Sequence, residues 1–526
     1  MEKIIPIKEL LMQVEKPIFA IQNNGKIEFL SKVNDFFTSD IQKKNPYTIK
    51  AFSPALPLEN LGDANFKKRH SLKYCYIAGA MANGINSAAM VKTMAENGML
   101  AFFGAGGLSI DRIRENIIDL KRTLKDEPFG FNLIHSLADP EHEMATVELY
   151  LKHEIRLISA AAFMRMTPSL VYYRVKGIYK DDAGQIITPN QIIAKVSRIE
   201  IARHFFSPPP EKLIRLLLEQ QMISSREAEL SQYIPMAQDL TAEADSGGHT
   251  DNRPALALLP TMLVLKNEYM EKYNYPEPLC IGLAGGISTP QSAAAAFSMG
   301  AAYILTGSIN QACIESGICD DVKQMLCQAE QADVAMAPAA DMFEIGARVQ
   351  VLKRGTMFPI RAEKLYKFYQ AYNSFDDIDE KSRQEIEEKF LQASFDQAWA
   401  STKDFFLKTG NTKEIEKAEN NPKHKMALVF RSYLGLSSKW AIQGIPERKM
   451  DYQIWCGPAM GAFNQWVKGS FLESAQNRKT AEIALNLLLG ASISIRASFL
   501  KLQGIELPMD ADLLRPLPIK DLLAYI

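Results

Sequence analysis

Cysteine and histidine are scarce in this chain, which has six cysteines and seven histidines among its 526 residues. No two cysteines form a CxxC pair, so the sequence offers neither a disulfide framework nor a zinc site, and we expect no structural metal. A strong excess of charge is missing too, because the formal net charge is −1. Such a chain has no field that attracts nucleic acid or anionic lipid, so small molecules or proteins are the expected partners.

Long apolar runs and an export signal are also missing. No uninterrupted window of about twenty apolar residues exists, which argues against a membrane span. The first residues, MEKIIPIKEL, lack a cationic start, an apolar core and a small-residue cleavage site. Hydrophobic residues make up 47% and charged residues 23%, as in soluble globular proteins. We expect a cytoplasmic protein with two or three domains.

Short apolar runs alternate with helical stretches from about residue 72 onward. Apolar runs with this spacing are typical of buried parallel strands. The eight runs are Tyr74–Ile77, Leu100–Phe103, Phe129–Ile134, Leu157–Ala160, Ile192–Val196, Asp239–Ala244, Leu279–Leu283 and Tyr303–Leu305. Eight such units favour an α/β fold of the (β/α)8 TIM barrel type over an open doubly wound sheet, which would stop near five or six strands.

The regions on either side of the barrel pattern predict two further domains. Asn24-Gly25 lies between two β-prone runs and is a strong hairpin signal. An insertion near residues 207–235 is too long for an ordinary connection between barrel elements. The polar stretch Asn411–Lys425 is expected to be rich in loops. The predicted domains are a small N-terminal α+β unit at 1–65, the barrel at 66–355 and a helical C-terminal region at 356–526.

Glycines after the last two predicted strands indicate a phosphate site. Gly285 and Gly286 follow the seventh strand, and Thr306, Gly307 and Ser308 follow the eighth. In barrels these two loops commonly bind phosphate through backbone N–H groups and a helix N-terminus. A side chain at the glycines would hold the phosphate away from those donors. A plain glycine turn is the alternative interpretation.

Small and polar residues follow three other predicted strands. Gly79, Ala80 and Met81 form a small junction against which a flat ring could lie, although close helix–strand packing would explain it too. Asn132 and Lys195 lie near the ends of the third and fifth strands, and a lysine there needs a ligand or carboxylate of opposite charge. Flavin mononucleotide (FMN) fits these features together, with its phosphate at strands seven and eight and a cation near its ring.

The stretch Glu243–Asn252, EADSGGHTDN, follows the sixth predicted strand. Two adjacent glycines bring the backbone close to a ligand, and His249 places a titratable ring beside it. A tight surface turn is the alternative interpretation. His249 could donate a proton or hydrogen-bond to a substrate oxygen, and the sequence does not separate these roles.

Several motifs resemble the flavin barrels of the nitronate monooxygenase (2-nitropropane dioxygenase-like) superfamily. In chain order they are AGAMANGINS, GAGGLS, FGFNLIHS, EADSGGHTDN, GLAGGIST and LTGSINQ. The similarity is closer still to the trans-acting enoyl reductases of bacterial polyketide and polyunsaturated fatty acid synthases. That similarity lies in the segments IEIARHFFSPPP, RVQVLKRGTMFPIRAEKLY and DYQIWCGPAMGAFNQWVKGSFLE. The resemblance covers almost the whole chain.

The resemblance implies an FMN-dependent enoyl reductase that uses NADPH to reduce the α,β double bond of an acyl thioester held on an acyl carrier protein. His249 matches the family's active-site histidine. By position, the residues that would hold FMN are Gly79, Ala80, Met81, Asn132, Lys195, Glu243, Gly248, Gly285, Gly286, Thr306, Gly307 and Ser308. A homodimer is one arrangement that this interpretation allows.

Two other functions are compatible with parts of the sequence. Flavin-dependent oxidation of alkyl nitronates would suit EADSGGHTDN equally well, but a small nitronate needs neither the helical tail nor the insertion after strand five. A non-catalytic subunit that docks carrier proteins would have no need for intact glycines at both phosphate loops. No GxSxG nucleophile elbow is present, so we expect no acyltransferase activity.

Overall fold

The computed structural model describes residues 6–23, 25–32, 48–135 and 139–526. The chain divides into two compact units. The first unit comprises Met1–Ala244, Arg253–Ser316 and Gln465–Ile526, and the second comprises Asp245–Asn252 and Gly317–Asn464. The predicted domain limits at residues 65 and 355 are therefore not the limits of these units. The N-terminal region and the last helices belong to the same unit as the barrel.

The strands that the structure describes are given in chain order. They are β1 Ile18–Asn23, β2 Lys26–Leu30, β3 Thr48–Ser53, β4 Tyr76–Ala78, β5 Leu100–Phe103, β6 Gly130–Ile134, β7 Leu157–Ala161, β8 Tyr179–Lys180, β9 Ile186–Ile187, β10 Gln191–Val196, β11 Asp239–Glu243, β12 Gly248–His249, β13 Cys280–Ala284, β14 Ile304–Thr306, β15 Val334–Pro338 and β16 Arg348–Leu352.

The helices follow the same order. They are α1 Ile7–Met12, α2 Ala64–His70, α3 Ala88–Glu96, α4 Ile110–Leu124, α5 Pro140–Lys152, α6 Pro168–Val175, α7 Ile199–Phe206, α8 Glu211–Glu219, α9 Ser225–Leu230, α10 Ala255–Tyr273, α11 Pro290–Ser298, α12 Ser308–Gln311, α13 Asp320–Cys327, α14 Phe358–Ala371, α15 Glu380–Glu385, α16 Phe395–Lys408, α17 Thr412–Asn420, α18 Pro422–Gln443, α19 Ala459–Val467, α20 Thr480–Leu502 and α21 Ile519–Leu522.

Eight parallel strands close into a barrel in the first unit. Their order around the barrel is β4-β5-β6-β7-β10-β11-β13-β14, and β14 pairs again with β4. Each strand begins and ends within two residues of a run predicted from the sequence. The predicted (β/α)8 barrel is confirmed. The carboxyl ends of its strands, which we call the barrel mouth, are where enzymes of this fold bind their ligands.

Helix α20 is long and apolar enough to cross a membrane by length and composition alone. Inside the first unit, however, 83% of its most apolar window is buried, where it packs on α11, α3 and β3. At Gly490 a Cβ would lie 2.6 Å from the side chain of Pro290, so a larger residue would separate α20 from α11. These contacts are those of a core helix in a folded unit.

The second unit combines a small sheet with helices. Strands β12, β16 and β15 form an antiparallel sheet, and Val349 and Val351 of β16 belong to an apolar core with residues of α14, α16 and α18. The helical C-terminal region is confirmed. The prediction that Asn411–Lys425 is rich in loops was wrong, because α17 occupies most of this stretch.

Two predicted local features can be compared with the first unit. Strands β1 and β2 form the expected antiparallel hairpin with Asn23 opposite Lys26, although Asn24 of the turn lies outside the described residues. The insertion near residues 207–235 contains the two helices α8 and α9. Helix α9 begins with a capping box between Ser224 and Glu227, which satisfies donors at its amino end.

Candidate active site

Thr306 joins the last barrel strand to the first. Its Oγ1 lies 2.7 Å from the Tyr76 hydroxyl, and its carbonyl oxygen accepts a hydrogen bond from the Gly79 N–H at 2.9 Å. Asn310 donates to the same carbonyl and hydroxyl groups. A Cβ on Gly79 would lie 2.4 Å from Leu305. Thr306 and Gly79 therefore close the barrel, and neither contributes a free side chain to a ligand.

The loops after β4 and β5 hold each other in place at the barrel mouth. The Asn86 side chain donates to the Gly79 carbonyl at 2.9 Å, and the Gly84 N–H donates to the Gly104 carbonyl at 2.8 Å. A Cβ on Gly104 would lie 1.8 Å from the Met81 carbonyl oxygen. This contact requires glycine at position 104. The backbone of Gly79, Ala80 and Met81, predicted to line a flat ring, is thus fixed in position before any ligand arrives.

Asn132 holds the loop after β5 in place. Its Oδ1 accepts hydrogen bonds from the N–H groups of Ala105 at 2.7 Å and Gly106 at 3.1 Å. The residue is almost fully buried. Asn132 therefore lies at the barrel mouth as predicted, and its carbonyl side chain orders two backbone amides there.

Lys195 and Glu243 form an ion pair on neighbouring strands of the barrel. Lys195 Nζ lies 2.8 Å from Glu243 Oε1, and the two side chains are 26% and 17% exposed. The partner of opposite charge expected for Lys195 is thus present in the protein as the carboxylate of Glu243. A pair this poorly hydrated is costly to break, because removal of one partner leaves the other charge partly buried.

Glycines follow the carboxyl ends of β13 and β14, which are neighbours in the barrel. Gly285 and Gly286 have φ angles of +87° and +76°, a conformation that favours glycine. A Cβ built on Gly286 or on Gly307 would meet no atom of the described residues within 4 Å, so the space beside both glycines is open. We call Gly285, Gly286, Gly307 and Ser308 the phosphate cradle.

A buried hydroxyl at the cradle tests whether it suits a phosphate. The Ser288 Oγ is buried and has no hydrogen-bond partner among the described residues. The next turn is ordered by Ser292, whose Oγ accepts from the N–H groups of Ser288 and Thr289 at 3.0 Å each. An anion with several acceptor oxygens suits an unpaired hydroxyl beside open glycines. Ser288 was not predicted from the sequence, although the sequence Ser-Thr-Pro at the start of α11 is a signal that could have identified it.

Residues Asp245–Asn252 leave the barrel strand and belong to the second unit. There Gly248 and His249 form β12, which pairs with β16 so that His249 lies opposite Val349. The Gln350 side chain donates to Asp245 Oδ1 and to the Ser246 carbonyl, both at 2.9 Å. The stretch Glu243–Asn252 is therefore divided, with Glu243 in the first unit and His249 on a strand of the second.

His249 has a carboxylate partner within its own unit. Its Nε2 lies 3.0 Å from Asp341 Oδ1, and both side chains are about half exposed. Desolvation raises the pKa of Asp341, but the hydrogen bond and charge of His249 outweigh it, so the pKa lies below its ordinary value. An ion pair with this exposure adds little stability. Its main effect is on the orientation of the imidazole.

The sites predicted from the sequence fall into two groups. Eleven lie at or near the barrel mouth: Gly79, Ala80, Met81, Asn132, Lys195, Glu243, Gly285, Gly286, Thr306, Gly307 and Ser308. Gly248 and His249 belong to the second unit.

Comparison with protein families assigns this barrel. Residues 65–364 match nitronate monooxygenase. The chain belongs to the nitronate monooxygenase family. Residues 372–452 also match the inserted helical domain of [acyl-carrier-protein] S-malonyltransferase, a likeness that was not predicted from the motifs. Membership of the nitronate monooxygenase family implies a flavin cofactor, and the open glycines and the unpaired Ser288 hydroxyl fit its phosphate end.

Relatives of this family member occur in polyketide and fatty acid assembly systems. The polyketide biosynthesis protein PksE of Bacillus subtilis (strain 168) is 46% identical over 478 residues, which are 90% of this chain and 61% of that protein. A polyunsaturated fatty acid synthase component of Thraustochytrium sp. is 40% identical over 501 residues, which are 94% of this chain and 33% of that protein. The chain thus spans less than two thirds of either relative.

A solved structure resembles most of the chain. The enoyl reductase domain of MlnA, from the macrolactin biosynthesis cluster of Bacillus amyloliquefaciens, is 41% identical with a TM-score of 0.81. The similarity covers 85% of this chain and 100% of that domain. The resemblance to the enoyl reductases of polyketide and polyunsaturated fatty acid synthases is confirmed.

Proposed function

We propose that this protein is a trans-acting enoyl reductase of polyketide or polyunsaturated fatty acid biosynthesis. The observation that carries the proposal is the similarity to the whole enoyl reductase domain of MlnA at a TM-score of 0.81. FMN is the proposed flavin, NADPH the hydride donor, and an enoyl thioester on an acyl carrier protein the substrate. When bound, the flavin would supply hydride transfer between NADPH and the substrate double bond.

The residues of the chain would bind and orient the reactants. The phosphate cradle would hold the FMN phosphate through backbone N–H groups and the amino end of a helix. Ala80 and Met81 would support the ring, because their backbone is already fixed. The Lys195–Glu243 pair would order the polar side of the site at the ends of β10 and β11. His249 is the proposed donor of a proton or hydrogen bond to the reduced acyl chain.

Three measurements on the purified protein test the proposal. A visible spectrum should show bound flavin, NADPH should bleach it under anaerobic conditions, and crotonyl thioester should restore the colour. Reoxidation should proceed faster with the thioester on an acyl carrier protein than on a short pantetheine analogue, because a carrier protein adds contacts. A colourless protein, or reduced protein that an enoyl thioester does not reoxidise, would contradict the proposed function.

The match of residues 65–364 to nitronate monooxygenase favours a second candidate, oxidation of alkyl nitronates by oxygen. An aerobic assay with a nitronate, run beside the anaerobic thioester assay, separates the two reactions. Oxygen consumption with the nitronate and no reoxidation by the thioester would favour the second candidate.

Replacement of His249 by alanine should lower enoyl turnover by about 10²-fold or more, the usual contribution of a positioned proton donor. The protein should stay yellow, because His249 is not part of the phosphate cradle. His424 is a matched control, since its Nε2 lies 2.9 Å from Glu414 in the same unit. His424→Ala should leave turnover unchanged. Equal turnover in wild type and His249→Ala would remove His249 from the mechanism.

Replacement of Asp341 by asparagine tests the same pair from the carboxylate side. Because the pKa of Asp341 is lowered, its carboxylate is charged at neutral pH, and this charge is lost as the pH falls through the lowered pKa. In Asp341→Asn the imidazole of His249 loses its anionic partner, so enoyl turnover should fall by a smaller factor than in His249→Ala. Wild-type turnover in Asp341→Asn would mean that Asp341 does not position His249.

A further inference from the structure

A second histidine with an oriented ring lies at the barrel mouth. His135 directly follows β6 in the motif FGFNLIHS, and its N–H donates to the Ala161 carbonyl at the end of β7. Its Nδ1 lies 2.9 Å from Glu143 Oε2 in the first turns of α5. The hydroxyl of Thr167, which caps the amino end of α6, donates to Glu143 Oε1 at 2.5 Å. Both carboxylate oxygens of Glu143 thus have a partner. Thr167 orients Glu143, and Glu143 in turn orients the imidazole of His135.

The other ring nitrogen of His135, Nε2, makes no hydrogen bond within the described part of the chain. The His135 and Glu143 side chains are only 7% and 2% exposed. The His135 Nε2 is buried without a hydrogen-bond partner among the described residues. A buried polar group left unpaired loses its hydrogen bonds to water and gains none in return, which is costly. Such a cost is expected where a ligand completes the hydrogen bond.

The other buried histidine of this unit, His70, serves as a comparison. Its Nε2 lies 2.8 Å from Asp239, at the opposite end of the barrel from the mouth. That ring is explained by packing and by its buried hydrogen bond to Asp239. For His135 the contact to Glu143 explains only Nδ1, and the stacking of its ring on Phe163, with centroids 5.2 Å apart, explains only its orientation.

We propose that His135 is a further catalytic residue, which carries protons on both ring nitrogens and donates a hydrogen bond from Nε2–H to the thioester carbonyl oxygen of the enoyl substrate, while Nδ1–H donates to Glu143. Glu143 and Thr167 are its positioning residues. The inference rests on the proposed enoyl reduction. When hydride adds to the β-carbon, the electron pair of the double bond moves toward the thioester oxygen, and a donor there stabilises the developing negative charge. No bond to His135 forms or breaks, and the proton that completes the α-carbon comes from another donor.

This arrangement follows a general pattern of positioned imidazoles. A carboxylate on one ring nitrogen fixes the orientation of the ring and leaves the opposite nitrogen to the substrate. Because Nδ1 and Nε2 lie on different edges of the ring, the bond to Glu143 turns Nε2 away from that carboxylate. The position of His135 just after β6 is one from which barrel enzymes commonly draw catalytic residues.

The test uses His135→Gln and Glu143→Gln in the flavin-loaded protein, with each half-reaction measured separately. Bleaching by NADPH should keep its wild-type rate, whereas reoxidation by crotonyl thioester should slow about 10²-fold in His135→Gln, as when an oxyanion donor is removed. Glu143→Gln should slow the same half-reaction by a smaller factor. A purely structural role would instead lower flavin content and melting temperature, and it would slow both half-reactions together.

His70→Gln is the matched control, since it alters a buried histidine of the same unit at the other end of the barrel. It should lower the melting temperature and leave both half-reactions of the folded protein unchanged. Wild-type reoxidation in His135→Gln would overturn the proposal.

A binding measurement separates this inference from the proposed function. In protein labelled with ¹⁵N-histidine, the Nε2 resonance of His135 should shift when a crotonyl thioester of N-acetylcysteamine is added. If wild-type protein is not reoxidised by enoyl thioesters, the proposed function fails, and this titration still decides whether His135 binds the thioester. No shift at saturating thioester would overturn the role of His135.

Discussion

Protein carrying Gly307→Val should purify folded and without flavin colour. The φ angle of Gly307 is −130°, outside the left-handed region, and a Cβ there would have no atom of the described residues within 4 Å. A Cβ at this position therefore meets open space, and we expect the valine side chain to occupy the space of the phosphate cradle. Loss of two charge-assisted hydrogen bonds of about 1.5 kcal/mol each would weaken flavin binding about 10²-fold. The ratio of flavin to protein absorbance and a flavin titration of the apoprotein measure the change.

A matched substitution separates this effect from damage to the fold. Gly435 in α18 also has no atom within 4 Å of its Cβ position, so Gly435→Val should stay yellow. Gly286 is a poorer test, because its φ of +76° would strain any other residue. Gly307→Ala should weaken flavin binding less than Gly307→Val. A yellow Gly307→Val protein with wild-type affinity would place the phosphate elsewhere.

The barrel could be predicted from the sequence because its information is local. Most of the barrel strands are apolar runs followed by a glycine or a polar residue, and an apolar run of this kind indicates burial on both faces. Helix α17 was missed for the opposite reason. Its sequence is mostly polar, and only Ile415 and Ala418, three residues apart, mark the face that packs in the core of the second unit. Two apolar positions are too few to reveal a helix of that length.

Site residues could be predicted from the sequence where their position depends only on the strand that they follow. The carboxylate beside Lys195 was expected, but Glu243 could be identified only once β10 and β11 were known to be neighbours. The pairing of His249 with Val349 joins residues one hundred positions apart, and no local pattern encodes it. His135 lies within the motif FGFNLIHS, but its proposed role depends on Glu143, which helix α5 brings to it.

Replacement of Asp239 by alanine is expected to lower the free energy of unfolding of the first unit by about 3–5 kcal/mol. Asp239 begins β11 with a side chain only 1% exposed, and its oxygens lie 2.5 Å from Arg69 Nη1 and 2.8 Å from His70 Nε2. Burial alone would lower the pKa of Arg69, but the charge of Asp239 outweighs it and the pKa lies above its ordinary value. Without Asp239, the buried guanidinium of Arg69 keeps only the carboxylate of Glu277, which lies 3.2 Å away and is 62% exposed.

Denaturant unfolding of Asp239→Ala, compared with Asp111→Ala, measures this cost. Asp111 pairs with Arg114 on the surface of α4, with side chains 82% and 45% exposed, and its loss should cost less than about 1 kcal/mol. An equal loss of unfolding free energy in the two variants would mean that the buried contacts of Asp239 stabilise the protein no more than the exposed pair of Asp111.

Asp239 and Glu243 lie at opposite ends of the same strand, about 13 Å apart at 3.3 Å per residue. The first anchors α2, whose Phe66 stacks on Tyr303 with ring centroids 4.1 Å apart, and the second belongs to the barrel mouth. Because the two ends of β11 serve different purposes, Asp239→Ala should unfold at lower denaturant and yet bind flavin with wild-type affinity while folded. Weaker flavin binding in the folded variant would mean that the amino end of β11 also shapes the site. In that case, stability and ligand binding would not depend on opposite ends of this strand.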